Sequence, residues 1–254
     1  MIDLIFKRPF EEQVAFFRGK LGNLVPTLRW DDLWKEAHDT AFMVAGAQKA
    51  DLLADLASAV EKAIVDGIGI GEFRKFFDEA VEKYGWSYTG ERNWRTRVIY
   101  QTNISTSYAA GREAQIEAGG FPFKMYKHSD SVLHPRPLHQ SWDGLVLPIE
   151  HPFWTTHSAP NGWGCKCRII GIRNEASARR LGGKWGKPPP DGWDEIDAKT
   201  GEQVGIDKGW GYQPGASLRK TQKQVKDKAA QLPKPLGDEL ADDADNIPKV
   251  PKRK

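Results

Sequence analysis

Cysteine is nearly absent from this chain: its 254 residues hold two, Cys165 and Cys167, with a single residue between them. Two cysteines exclude a disulfide framework of the kind that staples small secreted domains. Long apolar runs are also missing, since no stretch approaches the ~20 consecutive apolar residues that a spanning helix needs. The opening MIDLIFKRPF has an acid at position 3 and no long apolar segment, so it is not a secretory signal, and a cytosolic origin is expected. Charge of one sign is lacking as well. The formal net charge is +3, too small for the whole-chain field of a dedicated nucleic-acid binder. No H-E-x-x-H, G-x-x-x-x-G-K-[ST] or G-x-S-x-G string occurs, nor the H-x-E with P-C-x-x-C of zinc deaminases. The usual sequence warrants for a zinc peptidase, a nucleotide-binding enzyme, a serine hydrolase or a deaminase are therefore absent.

What the chain does have is enough apolar content, 39%, for one large domain or two modest ones. Its first third has helical periodicity. PFEEQVAFFR (9–18) opens with proline, carries acids in its first turn and stops before Gly19. WDDLWKEAHDTAFMVA (30–45) places Trp30, Leu33, Trp34, Ala37, Ala41 and Val44 at helical spacing, which predicts a buried stripe. Leu52, Leu56, Ala59 and Ala63 repeat the pattern over 51–65, and a fourth amphipathic helix covers 72–84 before Gly85. A long helix from about residue 93 to 118 ends at Gly119 and Gly120. It is rich in Thr, Ser, Asn and Gln, which weaken a helix unless contacts use their side chains; a polar face packed on another module would account for them.

After Gly120 the composition changes. FPFKMY (121–126) reads as a strand, Asp143-Gly144 before LVL (145–147) as a turn into a hairpin, and CRIIGI (167–172) as a closing strand. From residue 173 the chain is polar and holds 17 basic against 13 acidic residues, read from the sequence. A short basic helix over 222–230 is the one regular element expected there. The rest, ending in Lys252, Arg253 and Lys254, reads as a solvated or partner-ordered arm, with those three as candidate contacts for DNA phosphates or an acidic surface.

Between 128 and 167 lie His128, His134, His139, His151, His157 and both cysteines. Thiolate and imidazole together suit zinc, which takes four such ligands tetrahedrally. The usual zinc knuckle is C-x(2–4)-C, and C-x-C is less specific, although residues two apart on a strand share a face. Redox motifs normally use C-x-x-C, and free cysteine often simply packs. On spacing alone a metal site, a redox pair, a catalytic thiol and plain packing all stay open. Trp142, Phe153, Trp154 and Trp163 read as module core. Arg136 and Arg168 read as a clamp with Asp143, or as surface charges.

The ordered string DSVLHPRPLH (130–139), WDG (142–144), HPFW (151–154), APNG (159–162) and CKCR (165–168) resembles the head-morphogenesis domain of phage Mu F-like minor head proteins. The matching positions are Arg136, His139, Asp143, Gly144, Pro152, Phe153, Trp154, Pro160, Asn161, Gly162, Cys165, Cys167 and Arg168. Lys166 stands where the family more often has Arg, and Gln101, Thr102 and Asn103 depart from the family's string in the long helix. GWGYQPG (209–215) is similar to a step near the family's C-terminal part, so the likeness covers roughly residues 5–216.

The resemblance implies an α+β protein. Its expected parts are a helical N-terminal region (1–90), a small β-rich Cys/His head-morphogenesis module (91–172) and an extended, largely irregular basic extension (173–254). It implies a minor capsid protein of a tailed double-stranded DNA phage that acts in prohead assembly near the portal or capsid interior. A virion component rather than an enzyme is therefore expected. Portal, scaffold or major capsid protein are the expected partners, with packaged DNA a further one and no membrane. The candidate cofactor is a zinc ion on Cys165 and Cys167 with His139 and one of His151, His157 or His134. Arg136, Asp143, Gly144, Trp154 and Arg168 are the structural motif residues. A zinc-dependent hydrolase or effector using the same cluster, and an internal DNA-binding protein, are the alternatives.

Overall fold

The computed structural model describes residues 9–132 and 134–246. They form two compact units. Unit 1 joins the chain up to Tyr100 with the segment from Gly215 onward, and unit 2 is Gln101–Pro214.

Unit 1 is helical. α1 (Glu11–Arg18) buries Val14, Phe16 and Phe17 and carries Glu11 and Glu12 at its positive end. α2 (Ala50–Asp66) buries Leu52, Leu56, Ala59 and Ala63 on one stripe, as their spacing predicts, and ends at Gly67 with φ 69°. α3 (Ile70–Tyr84) buries Phe73, Phe77 and Ala80 and ends on Gly85 at φ 60°, a left-handed cap that a Cβ would disfavour. α2 packs against both α1 and α3.

The helix expected over 30–45 does not form. Only a 3-10 turn, Lys35–Asp39, is regular there. The Asp32 carboxylate accepts from the Leu28 and Arg29 amides at 2.7 and 2.9 Å, so the acids close a local turn instead of starting a helix. Trp34 stays 38% exposed, while Ala41, Phe42 and Val44 are buried in extended backbone, with Phe42 bridged to Leu24.

The boundary between units falls within α4 (Arg92–Ala118), after Tyr100. Several of its Thr and Ser hydroxyls bond on their own helix. Thr96 donates to the Arg92 carbonyl at 2.7 Å, Thr106 to Thr102 at 2.8 Å and Ser107 to Asn103 at 2.6 Å. This bonding four residues back explains how Thr96 and Ser107 can be wholly buried.

Unit 2 is built on a three-stranded antiparallel sheet in the order β2-β1-β3, with β1 Phe123–Lys127, β2 Val146–Pro148 and β3 Arg168–Ile172. Met125 pairs with Val146 on one side and Ile170 on the other, and Lys127 pairs with Arg168. Alternate residues point to opposite faces. Tyr126, Leu147 and Ile169 enter a large core with Trp142, Phe153, Trp154 and both cysteines. Met125, Val146 and Ile172 enter a smaller one beneath α7 (Glu175–Arg180). Two one-turn helices, α5 (Pro137–Ser141) and α6 (Phe153–His157), carry His139 and His157 into the large core.

The C-terminal region is not an irregular arm. Besides α7 it contains α8 (Ala216–Ala229) and α9 (Leu236–Asn246), packed on each other. The basic helix expected over 222–230 is the larger part of α8; polarity hid its first turns and the whole of α9. Leu218, Gln222, Val225 and Ala229 recur at helical spacing along α8, as do Leu236, Leu240 and Ala244 along α9. The buried Ala229 and Ala244, 3% and 0% exposed, are small enough to let two highly charged helices meet. Asp39 anchors the start of α8 by accepting from the Ser217 hydroxyl at 3.0 Å and from the Gly215 and Ser217 amides. Burial raises the Asp39 pKa and lowers that of the neighbouring Lys20 to about 8. Between α7 and α8, Ile206 and Trp210 belong to the large core of unit 2. Lys252, Arg253 and Lys254 lie outside the described residues.

Candidate metal centre

The site begins with the end of the sheet. Lys127 lies opposite Arg168, so one further step along the same antiparallel register sets His128 across from Cys167. The His128 Nδ1 lies 3.4 Å from the Cys167 Sγ. The Asp143 carboxylate accepts from the His128 amide at 2.9 Å and pairs with Lys127 Nζ at 3.1 Å, holding this strand end in place. Gly144 then turns at φ 77°, and a Cβ there would stand 2.7 Å from the Gly182 carbonyl.

Cys165 sits after the turn at Gly164, φ 71°, with its amide on the Gly162 carbonyl at 3.1 Å. From α5, His139 points its Nδ1 at both sulfurs, 3.6 Å from Cys165 and 3.9 Å from Cys167. Its Nε2 lies 2.9 Å from the Gly205 carbonyl. A carbonyl can only accept, so Nε2 carries the proton and Nδ1 offers its lone pair to the sulfurs. That carbonyl-oriented imidazole is the arrangement that orients metal-ligating histidines. The ligand atoms of His139, Cys165 and Cys167 lie within 4.8 Å of one another, and all three residues are buried. The donor set of soft sulfur and imidazole nitrogen suits zinc.

Electrostatics within the pair are asymmetric. The Cys165 thiol pKa is lowered chiefly by hydrogen bonding from Cys167, and that of Cys167 is correspondingly raised. Burial, with both sulfurs close by, drives the Tyr126 hydroxyl well above its usual range; it donates to Asn161 Oδ1 at 3.0 Å.

The other sequence-derived residues have different surroundings. His157 is wholly buried and stacked on Phe153 at 4.2 Å, with its Nδ1 2.9 Å from the Thr156 hydroxyl. Burial lowers its pKa to about 4. The His151 Nδ1 accepts from the Phe153 amide at 3.1 Å, and its ring lies beside Trp193. His134 is in an exposed loop. Arg136 pairs with Asp207 at 2.7 Å and also donates to the Trp163 carbonyl, tying 136 to the segment after residue 200. Trp154, 1% exposed, donates its indole N–H to the Pro148 carbonyl. Arg168 is exposed at the start of β3. Gly205 and Asp207 were not among the sequence candidates. The second resemblance, GWGYQPG, marks their neighbourhood without marking them.

A buried His/Cys cluster at the edge of a small antiparallel sheet, entered from a one-turn helix, defines a compact module closed around its own thiols. The family model described as "Phage Mu protein F like protein" matches residues 54–170, so the chain is similar to that family over this stretch. It is 31% identical over 256 aligned residues to the "Putative capsid assembly protein F" of Escherichia phage Mu, covering 85% of this chain and 57% of that protein. It is 30% identical over 212 residues to the "Mu-like prophage FluMu F protein" of Haemophilus influenzae, covering 79% of this chain and 49% of that one. The chain thus spans about half the length of the curated relatives it matches. No solved structure matches it.

Proposed function

We propose that this chain is a minor capsid protein of a tailed double-stranded DNA phage and acts in head morphogenesis. In this role it contributes structure to prohead assembly and carries out no turnover of its own. The observation that supports this most is the likeness to the phage Mu protein named for capsid assembly, which extends over 85% of this chain and so takes in sequence of both units. The geometry agrees with a structural role. The groups with chemical potential, both cysteines, His139 and His157, are all buried. Among the described residues, no helix is long and apolar enough to cross a membrane.

The proposed location is the phage head, with assembly in the host cytoplasm, and the proposed partners are the portal, scaffold or major capsid protein. α8 adds a reason to retain packaged DNA as a further partner. Arg219, Lys223 and Lys226 are spaced to share one helix face, and salt-dependent phosphate binding is carried by faces of this kind. The test is to express the chain with the portal, scaffold and major capsid proteins of its phage and sediment the proheads. The chain should travel with the particles at fixed copy number. A chemical turnover that disappears when one histidine is replaced, with the fold intact, would overturn the structural assignment.

A further inference from the structure

We propose that His128, His139, Cys165 and Cys167 form a closed, four-ligand structural zinc site. The argument starts from bond lengths. Zinc bonds of about 2.3 Å to thiolate sulfur and ~2.05 Å to imidazole nitrogen, at a tetrahedral angle, place ligand sulfur and nitrogen about 3.6 Å apart. The sulfur–nitrogen separations here are 3.4 Å for His128 and Cys167, 3.6 Å for His139 and Cys165, and 3.9 Å for His139 and Cys167. Three edges of the tetrahedron thus already have about the right length. The two sulfurs and the His139 nitrogen lie within 4.8 Å of one another; His128 stands outside that mutual group, reaches Cys167 alone, and would have to swing inward to complete the tetrahedron.

The supports are also in place. Nε2 of His139 is committed to the Gly205 carbonyl, which leaves Nδ1 as the ligand atom. The His128 backbone is fixed by Asp143. All four side chains are buried, between 2% and 8% exposed, so water has little access to a fifth position. Four protein ligands leave no open coordination site for a substrate, which separates this centre from catalytic zinc. The ion ties α5 to the end of β1 and the turn before β3, two segments that the sheet already pairs. Such a cross-link gives most to a small module with a limited core.

The test uses the full chain, purified without chelator and kept reduced throughout. Elemental analysis should find about one zinc per chain. Cobalt(II) added to the metal-free protein should give the intense visible bands of a tetrahedral site with thiolate ligands. His128→Ala should weaken zinc affinity by at least about tenfold in competition with a chromophoric chelator, whereas His151→Ala should leave it unchanged. A folded, reduced wild-type sample that takes up neither zinc nor cobalt overturns the site, and the cysteines and imidazoles are then paired only by hydrogen bonds. Unchanged affinity in folded His128→Ala overturns the fourth ligand. The wild-type measurements require no variant to fold, and neither result depends on the assembly role.

Discussion

Glu113→Gln tests the energetics of unit 2 at its most exposed weakness. The Lys124 Nζ and Glu113 Oε2 lie 2.6 Å apart, with side chains 4% and 3% exposed. Glu113 also accepts from the Ser158 hydroxyl at 3.2 Å and the Gln213 amide at 2.8 Å, so one carboxylate holds α4, β1, the segment after α6 and residue 213 together. An amide keeps the shape and can still accept from Ser158. It leaves the Lys124 ammonium in the interior without a counter-charge, and removing one partner of a buried pair costs about 3–5 kcal/mol. With a urea dependence of about 2 kcal/mol per molar, the unfolding midpoint should fall by roughly 2 M. The assay is equilibrium urea unfolding followed by tryptophan fluorescence. Adding Lys124→Met to Glu113→Gln removes the stranded charge, so the double variant should recover much of the loss, with a coupling of at least ~2 kcal/mol. A cost below about 1 kcal/mol for the single variant, with additive effects in the double, would refute the claim that the pair is desolvated.

Acid should destabilise the protein through His157. The folded state keeps it neutral down to about pH 4, while the unfolded chain takes up a proton near the ordinary value of about 6.5. Between those limits the unfolded state binds more protons, so the stability is fully present above about pH 6.5. It falls by up to about 3 kcal/mol as the pH drops toward 4. His157→Phe, which can keep the stack on Phe153, should flatten this part of the profile of melting temperature against pH; an unaltered slope would exclude His157 as a source. His38, also lowered to about 4 by burial, leaves a residual slope in that variant. Gly162→Ala should cost about 1–3 kcal/mol, because a Cβ there would stand 2.2 Å from the Asp207 carboxylate and 3.0 Å from the Arg136 guanidinium. Asp207→Ala should mask most of that cost in the combined variant; full additivity in thermal unfolding would show that the Arg136–Asp207 pair is not what the methyl displaces.

Where local sequence and tertiary environment agree, elements are legible in advance. α2 and α3 carry leucine, alanine and phenylalanine at helical spacing and stop at glycines that turn left-handed, and Gly119-Gly120 likewise marks the C-terminal end of α4. Segment 30–45 has helical spacing too, but Asp32 binds backbone amides and diverts the chain. The basic helix expected over 222–230 is the larger part of α8, but its first turns and all of α9 were hidden for the opposite reason, since their apolar stripes are narrow and set in dense charge. At the site, the grouping of His139 with the two cysteines could be suspected from residue type. The place of His128 could not, because it depends on the register of β1 against β3, which no local pattern states. The Gly205 carbonyl that orients His139 comes from 66 residues away and carries no side-chain signal at all.

The layout of the units has a consequence for synthesis on the ribosome. Unit 1 is interrupted by the whole of unit 2, and its last helices are made last. Unit 2 draws all its residues from one continuous stretch, so it can complete its core while the start of unit 1 still waits for α8. Until then Asp39 has neither the Ser217 hydroxyl nor the amides that cap it. Completion of unit 1 is therefore a late event that reports passage of residue 217. A chain released before that point would present an unfinished N-terminal surface, distinguishable from the finished protein by any partner that binds there.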